Sequence, residues 1–311
     1  VEPFKTHSAH GLWDDSGASD SQGLSPCGRL ARRADPDRFL LAVMVPPDRR
    51  EALFALLTVN AEAARIPDAV SEPLMGAMRL QYWRDVIAAD DPMAAARGNP
   101  VAEALARDVL GEGGAPDLAE RRALLEALLD GWGEALGADP PKDVIAARRH
   151  AAGIGGSLWD LAGLLMGVPA GDVTTRAALR HVGTAWLLLA MAKATPLLLQ
   201  RGRLGLPLDA LAHAGVSADT VLAGRDRDRV GIRAGVKALA GAAEEDLRAA
   251  RSEKARADRR ARPLLRQAIH ARHLARGLAQ YDHDPFAASL RLARAPVFRL
   301  LVSRLGGTFG L

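Results

Sequence analysis

Pro46-Pro-Asp-Arg-Arg-Glu-Ala-Leu-Phe-Ala-Leu-Leu-Thr-Val-Asn-Ala-Glu-Ala-Ala-Arg65 is the stretch on which the fold class turns. A proline pair followed by an acidic residue marks a helix start, because proline's fixed φ suits the first turn and its missing N–H would have no partner there. Leu53, Leu56, Leu57 and Asn60 then recur at spacings of three and four, which puts them on one helix face. Pro67 is expected to stop that helix near Arg65. The same pattern runs through the rest of the chain. Ser71-Glu72-Pro73 reads as an N-cap and first turn for a helix over 71–88. Further helices fit 100–110, 117–136, 142–167, 172–200, 208–214, 217–223, 228–257, 261–281, 285–293 and 295–305. Strict strand alternation is missing, and no repeat of fixed period occurs. The expected fold is all-α, with about eleven helices around one core, as a single domain over residues 34–311. Residues 1–33, where Gly, Ser and Asp cluster in Asp14–Ser25, are expected to form a flexible tail.

Composition agrees with the helical reading. Of 311 residues, 49% are hydrophobic, enough to build a core, but only 4% are aromatic. Ala, Leu and Arg, all good helix formers, predominate over strand formers. This argues against an all-β sandwich or barrel. The single cysteine, Cys27, excludes an internal disulfide framework and fits a reducing compartment. The most apolar run, Val182–Ala192, is followed by Lys193 and is expected to be a core helix too short to span a bilayer. The first residues show no charged-then-apolar leader pattern. Charge is unevenly spread. Residues 225–311 hold 19 Lys/Arg against 9 Asp/Glu, whereas the rest of the chain holds 22 against 28. A basic C-terminal third points either to an anionic partner or to a solvated arginine face.

Several chemistries find no support. There is no phosphate loop ending in Lys-Ser or Lys-Thr and no GxSxG elbow. Cys27 lies in the expected tail, remote from any His partner, so a nucleophilic cysteine is not indicated. His270 and His273, three apart, read as a surface pair and not as metal ligands. Gly153, Gly155 and Gly156 lack the preceding strand of a nucleotide loop, and read as a site of close helix–helix approach. The arginines are not interleaved with exposed aromatics, so no nucleic-acid partner is expected.

Three stretches in order carry a resemblance. They are Arg38-Phe-Leu-Leu-Ala-Val-Met-Val-Pro-Pro through Leu57 with Arg79-Leu-Gln-Tyr-Trp-Arg-Asp, then Gly153-Ile-Gly-Gly-Ser, then Gly202-Arg-Leu-Gly-Leu-Pro. Together with the ending Gln280-Tyr-Asp-His-Asp-Pro-Phe, their order resembles the squalene/phytoene synthase family over about residues 37–305. The resemblance implies an all-α isoprenoid synthase fold with a central cavity. Enzymes of that family join two prenyl diphosphates head to head. Carboxylates at i and i+4 on two facing helices hold Mg²⁺, which neutralises the departing diphosphate.

At those carboxylate positions the chain departs from the family. The first Asp-x-x-x-Asp motif falls on Ala64 and Asp68, and the second on Ala194 and Leu198. Trp186–Leu199 contains no Asp or Glu at all. Asp68 alone cannot organise the ions that a diphosphate needs in a low-dielectric pocket. The expectation is therefore no catalytic residue, no metal and no cofactor, with Mg²⁺ entering only if prenyl transfer persists. Glu62, Asp68, Arg79, Arg84 and Arg203 are the ligand-binding candidates if the cavity is used.

Val59-Asn-Ala-Glu-Ala-Ala-Arg-Ile-Pro-Asp and Leu80-Gln-Tyr-Trp-Arg are similar to an aspartate-poor branch of the family that includes a mitochondrial complex I assembly factor and bacterial homologues. That similarity implies a non-catalytic role in assembling NADH:quinone oxidoreductase at the membrane surface. Its subunits or other assembly factors would be the partners. The implied location is the cytoplasmic side of a bacterial inner membrane, or the matrix side of the mitochondrial one. Residues 291–304, with arginines among Leu, Val and Phe, are a candidate membrane contact or a terminal helix docked on the core. Two alternatives stay open: a head-to-head prenyl transferase with a rearranged metal site built from Glu62, Asp68, Arg84 and Asp85, and a lipid or isoprenoid carrier.

Overall fold

In the computed structural model, residues 23–70, 72–111, 115–137, 139–227, 229–253, 257–287 and Leu300 are described. Among them there is no strand, as the periodicity predicts, and there are fifteen α-helices, more than the eleven or so expected. In chain order these are α1 (Pro26–Ala34), α2 (Pro36–Ala42), α3 (Arg50–Ala69), α4 (Pro73–Ala88), α5 (Pro92–Ala96), α6 (Pro100–Ala104), α7 (Leu118–Glu134) and α8 (Val144–Ala151). Then come α9 (Ser157–Leu165), α10 (Val173–Gln200), α11 (Leu208–His213), α12 (Ala218–Leu222), α13 (Val230–Glu253), α14 (Arg262–Leu265) and α15 (Gln267–Gln280).

The centre is α10. It packs along α13 and against α8, α9 and α15. Length and composition would let α10 cross a membrane, contrary to the expectation that no segment could. Half of its most apolar window is buried within the fold, so here it serves as the central core helix. The helix expected over 142–167 is realised as α8 and α9, joined by a π-turn at Ala152–Gly156. That turn brings Gly155 against Gly183 of α10 so closely that a Cβ on either residue would collide with the other's backbone carbonyl oxygen. The glycine cluster therefore does mark close helix–helix approach.

Four sequence readings need correction. The stretch read as a tail contains α1, capped by the Ser25 hydroxyl accepting from the Gly28 N–H at 3.0 Å and closed by Pro26 at the first turn. Cys27 is buried in the core instead of lying in a tail, and burial pushes its thiol pKa up to about 11, which leaves it protonated. Second, α3 continues through Pro67 to Ala69. A proline in the last turn forfeits one hydrogen bond, but Leu53, Phe54, Leu56, Leu57 and Ile66 anchor the helix by burial. Third, His270 is not at the surface. It is 2% exposed, 6.0 Å from the Trp186 ring centroid, and burial lowers its pKa to about 4. Fourth, α2 and α5 went unread, because each is too short to display a full apolar period. Ser71 lies outside the described residues, and Glu72 occupies the N-cap of α4. The segment 291–304 also lies outside them, apart from Leu300, which is buried.

Candidate functional site

A cavity of about 450 Å³ opens between the C-terminal ends of α3, α7 and α10 and the start of α8. Its wall is mainly apolar, with Trp132, Leu187, Ala190 and Met191 contributing. All four positions of the two expected carboxylate motifs line it: Ala64 and Asp68 from α3, Ala194 and Leu198 from α10. The continuation of α3 past Pro67 makes this possible, because it keeps Asp68 one turn beyond Ala64 on the same face. Asn60, one turn before Ala64, accepts a hydrogen bond from the Trp132 indole at 3.2 Å and fixes that side chain in the wall.

Asp68 is occupied by cations of the protein itself. The Arg201 guanidinium donates to its Oδ2, and Arg203 Nη1 donates to its Oδ1 at 3.2 Å. Local backbone chemistry positions both arginines. Gly202 adopts a left-handed φ of +67°, so α10 ends in a tight reversal. There Arg203 N–H returns to the Leu198 carbonyl at 2.9 Å and Gly202 N–H to that of Leu199 at 3.0 Å. Arg203 Nη2 also donates to the Ala135 carbonyl at 2.6 Å. One guanidinium thus joins the ends of α3, α7 and α10. His150 Nδ1 lies 3.3 Å from Glu134 Oε2 at the rim.

The donor set does not fit magnesium. Ala64, Ala194 and Leu198 offer no oxygen ligand, and the charge of Asp68 is already matched by two guanidinium groups. No group of three or more His, Cys, Asp or Glu side chains suited to a metal occurs among the described residues.

The remaining candidates do not converge on the cavity. Glu62 faces a separate recess of about 190 Å³ beside Leu30 and Arg33; burial raises its pKa, opposed by Arg65 at 3.9 Å. Arg79 is exposed on α4. Arg84 bridges Asp130 at 2.7 Å and Glu126 at 3.3 Å of α7. Asp85 accepts from Gln81 Nε2 at 2.8 Å. A rearranged site built from Glu62, Asp68, Arg84 and Asp85 is therefore not assembled. Of the five candidates only Asp68 and Arg203 meet. Sequence reading missed Trp132, Glu134, His150 and Arg201. Arg201 adjoins a noticed motif, whereas the Glu134–His150 pair leaves no local signal.

A family model for squalene/phytoene synthase matches residues 31–300. The chain belongs to the squalene/phytoene synthase family. Solved structures from that fold agree. The squalene synthase HpnC from Alicyclobacillus acidocaldarius superposes with a TM-score of 0.65 at 16% identity, covering 84% of this chain and 94% of that one. A dehydrosqualene synthase in complex with ligand gives 0.63 at 14% identity, covering 90% and 95%. At such identities these neighbours establish the isoprenoid synthase helical fold and nothing finer. By sequence, the chain is similar to proteins named NADH dehydrogenase (ubiquinone) complex I, assembly factor 6. The Bos taurus protein is 29% identical over 85% of this chain and 76% of its own length. The Homo sapiens protein is 27% identical with the same coverage.

Proposed function

We propose that this member of the squalene/phytoene synthase family acts in the assembly of respiratory complex I, at the membrane surface and without prenyl-transfer chemistry. The observation that carries the reading is the filling of all four motif positions around one cavity. Three are aliphatic and the fourth is an aspartate clamped by Arg201 and Arg203. A diphosphate brought there would find no metal cradle. Its developing charge would meet no metal ion, only two guanidinium groups already paired with Asp68, in a mainly apolar pocket. The similarity to relatives named as complex I assembly factors supports the positive half of the proposal. Early subunits of that complex, or other assembly factors, are the partners. The site of action is the face of the inner membrane, bacterial or mitochondrial, on which the complex is built.

Deleting the gene in the native host and measuring assembled complex I on native gels tests the role. The expected result is loss of the complex, restored by the wild-type gene. Incubating purified protein with prenyl diphosphates and Mg²⁺ tests the chemistry. Diphosphate release above a heat-killed control overturns the non-catalytic reading.

A further inference from the structure

The positive charge of the C-terminal third gathers along one seam of the fold. Helices α13 and α15 pack on each other. Arg233, in the first turn of α13, pairs at 2.8 Å with Asp282 just past the end of α15, and Arg229, just before α13, pairs at 2.7 Å with Asp284. Toward the other end, Arg251 in the last turn of α13 acts on Arg272 in the first half of α15. The two helices therefore run antiparallel.

Lys237, Glu244, Arg248 and Arg251 lie along one exposed line of α13, and Arg272 and Arg276 along one line of α15. These lines border each other at two levels. Arg272 is next to Arg251, and His283 is next to Lys237 and Glu244. Arg248 and Arg276 stand between those levels. Burial first, and then the charges of Arg251 and Arg276, hold the half-buried Arg272 guanidinium below its ordinary pKa.

Elsewhere in the fold arginines are matched. Arg84, Arg148, Arg176, Arg229 and Arg233 each hold a carboxylate. None of Arg248, Arg251, Arg272 and Arg276 has an ion pair or side-chain hydrogen bond among the described residues. The nearby carboxylates do not serve them. Glu244 lies beside His283, Asp246 is buried on Arg148 and His181, and Asp282 and Asp284 are taken by Arg229 and Arg233. Like charges gathered in this way oppose folding, an opposition that an anionic partner relieves.

We infer that the α13–α15 seam, through Arg248, Arg251, Arg272 and Arg276, docks on the anionic phospholipid headgroups of a membrane surface. Guanidinium forks grip phosphodiester oxygens in pairs, and an anionic leaflet attracts clustered cations. An acidic protein is the competing polyanion, but a protein interface needs an apolar anchor at its centre. Among the described residues, the large exposed apolar side chains of these two helices and their ends are Val230 and Tyr281, at the opposite, ion-paired end. The inference deepens the membrane-surface part of the assembly reading by placing the contact on named side chains, and rests on that reading for its biological setting.

The full chain is sedimented with vesicles of mixed phosphatidylcholine and phosphatidylglycerol, and with vesicles of phosphatidylcholine alone. An acidic amphipathic peptide is titrated in parallel by fluorescence anisotropy. The expected result is binding to the anionic vesicles only, weakening as salt is raised. Arg251→Gln/Arg276→Gln should weaken vesicle binding about twentyfold, since each cation near an anionic surface contributes about fivefold. Arg251→Lys/Arg276→Lys keeps the charge and should stay within about threefold of wild type. Arg79→Gln/Arg97→Gln removes the same net charge from exposed positions on α4 and after α5, and should also stay within about threefold. The altered side chains are exposed, so the folded state of each variant is verified by its unchanged melting curve.

Equal binding to neutral vesicles, no binding to anionic ones, or unchanged binding by the glutamine seam variant overturns the inference. So does an equal loss in the lysine variant or in the Arg79/Arg97 variant, and so does saturable binding of the acidic peptide that the glutamine seam variant abolishes. In the host, a seam variant that fails to bind vesicles yet restores complex I fully overturns the docking role while leaving the assembly reading intact. Vesicle binding by the wild type alongside normal complex I in the gene-deletion strain overturns the assembly reading and upholds the surface.

Discussion

Asp68 at the cavity and Asp160 in the interior are both matched by two arginines, and they differ in what the pairing is worth. Asp160 is fully buried. It accepts from Arg176 Nε at 2.7 Å and Nη2 at 2.9 Å, and from Arg180 Nη1 at 2.7 Å, joining α9 to the start of α10. A second interior node, Asp246 of α13, takes two bonds of 2.9 Å from Arg148 and lies 2.7 Å from His181 Nδ1. Burial alone would raise the Asp246 pKa, but hydrogen bonds from His181 and Arg148 outweigh it and hold the carboxyl below the usual range. Asp68 is 37% exposed, and water screens its arginines. The interior carboxylates therefore tie helices together where the dielectric is low. The cavity pair also joins helix ends, but within reach of water it contributes little to stability, and two guanidinium groups match the charge of Asp68. The same two-arginine arrangement thus has a different worth in the two regions, because the depth of burial and not the pairing itself decides it.

The largest effect should come from breaking the interior node. Asp160→Ala leaves two arginines without their buried anion, and a loss of about 3–5 kcal/mol is expected in urea unfolding. A loss below about 1 kcal/mol would erase the distinction between the two regions.

The next effect is a pH dependence. The buried His270 is held near pKa 4, below its unfolded value of 6.5, so the unfolded chain binds more protons between those values. Its contribution is complete above pH 6.5 and is lost as pH falls toward 4, by up to about 3 kcal/mol. His270→Leu should flatten the stability profile across that window, and an unchanged slope would assign the acid sensitivity to other groups.

The smallest effect is at the cavity. Asp68→Ala should cost less than about 1 kcal/mol. Calorimetric titration of the wild type with Mg²⁺ should give no specific heat. A variant carrying Ala64→Asp, Ala194→Asp and Leu198→Asp, with Arg201→Ala and Arg203→Ala to free Asp68, should acquire binding. Wild-type binding abolished by Asp68→Ala would show that the arginines do not withdraw the carboxylate.

Helix content and most helix positions were legible because burying one face imposes a period of three and four on the apolar residues. Leu53, Leu56 and Leu57 announce α3, and all three are buried. The loss of donors at Ala64, Ala194 and Leu198 was equally legible, since it is a matter of residue identity. Features set by distant contacts were not legible. Nothing local to His270 says that Trp186 will cover it, and nothing local to Cys27 says that its turn is helical and buried.

Residue order alone thus settled that the chain is helical, which family it resembles, and that three of four metal-ligand positions carry no oxygen. Those properties follow from side-chain chemistry and from the spacing of neighbours along one helix. Folding in three dimensions decided the fate of the fourth. Arg201 and Arg203 lie more than 130 positions from Asp68 and reach it only because α10 ends, at a left-handed glycine, beside the last turn of α3. An ion pair across that distance depends on how helices pack, which no local pattern encodes.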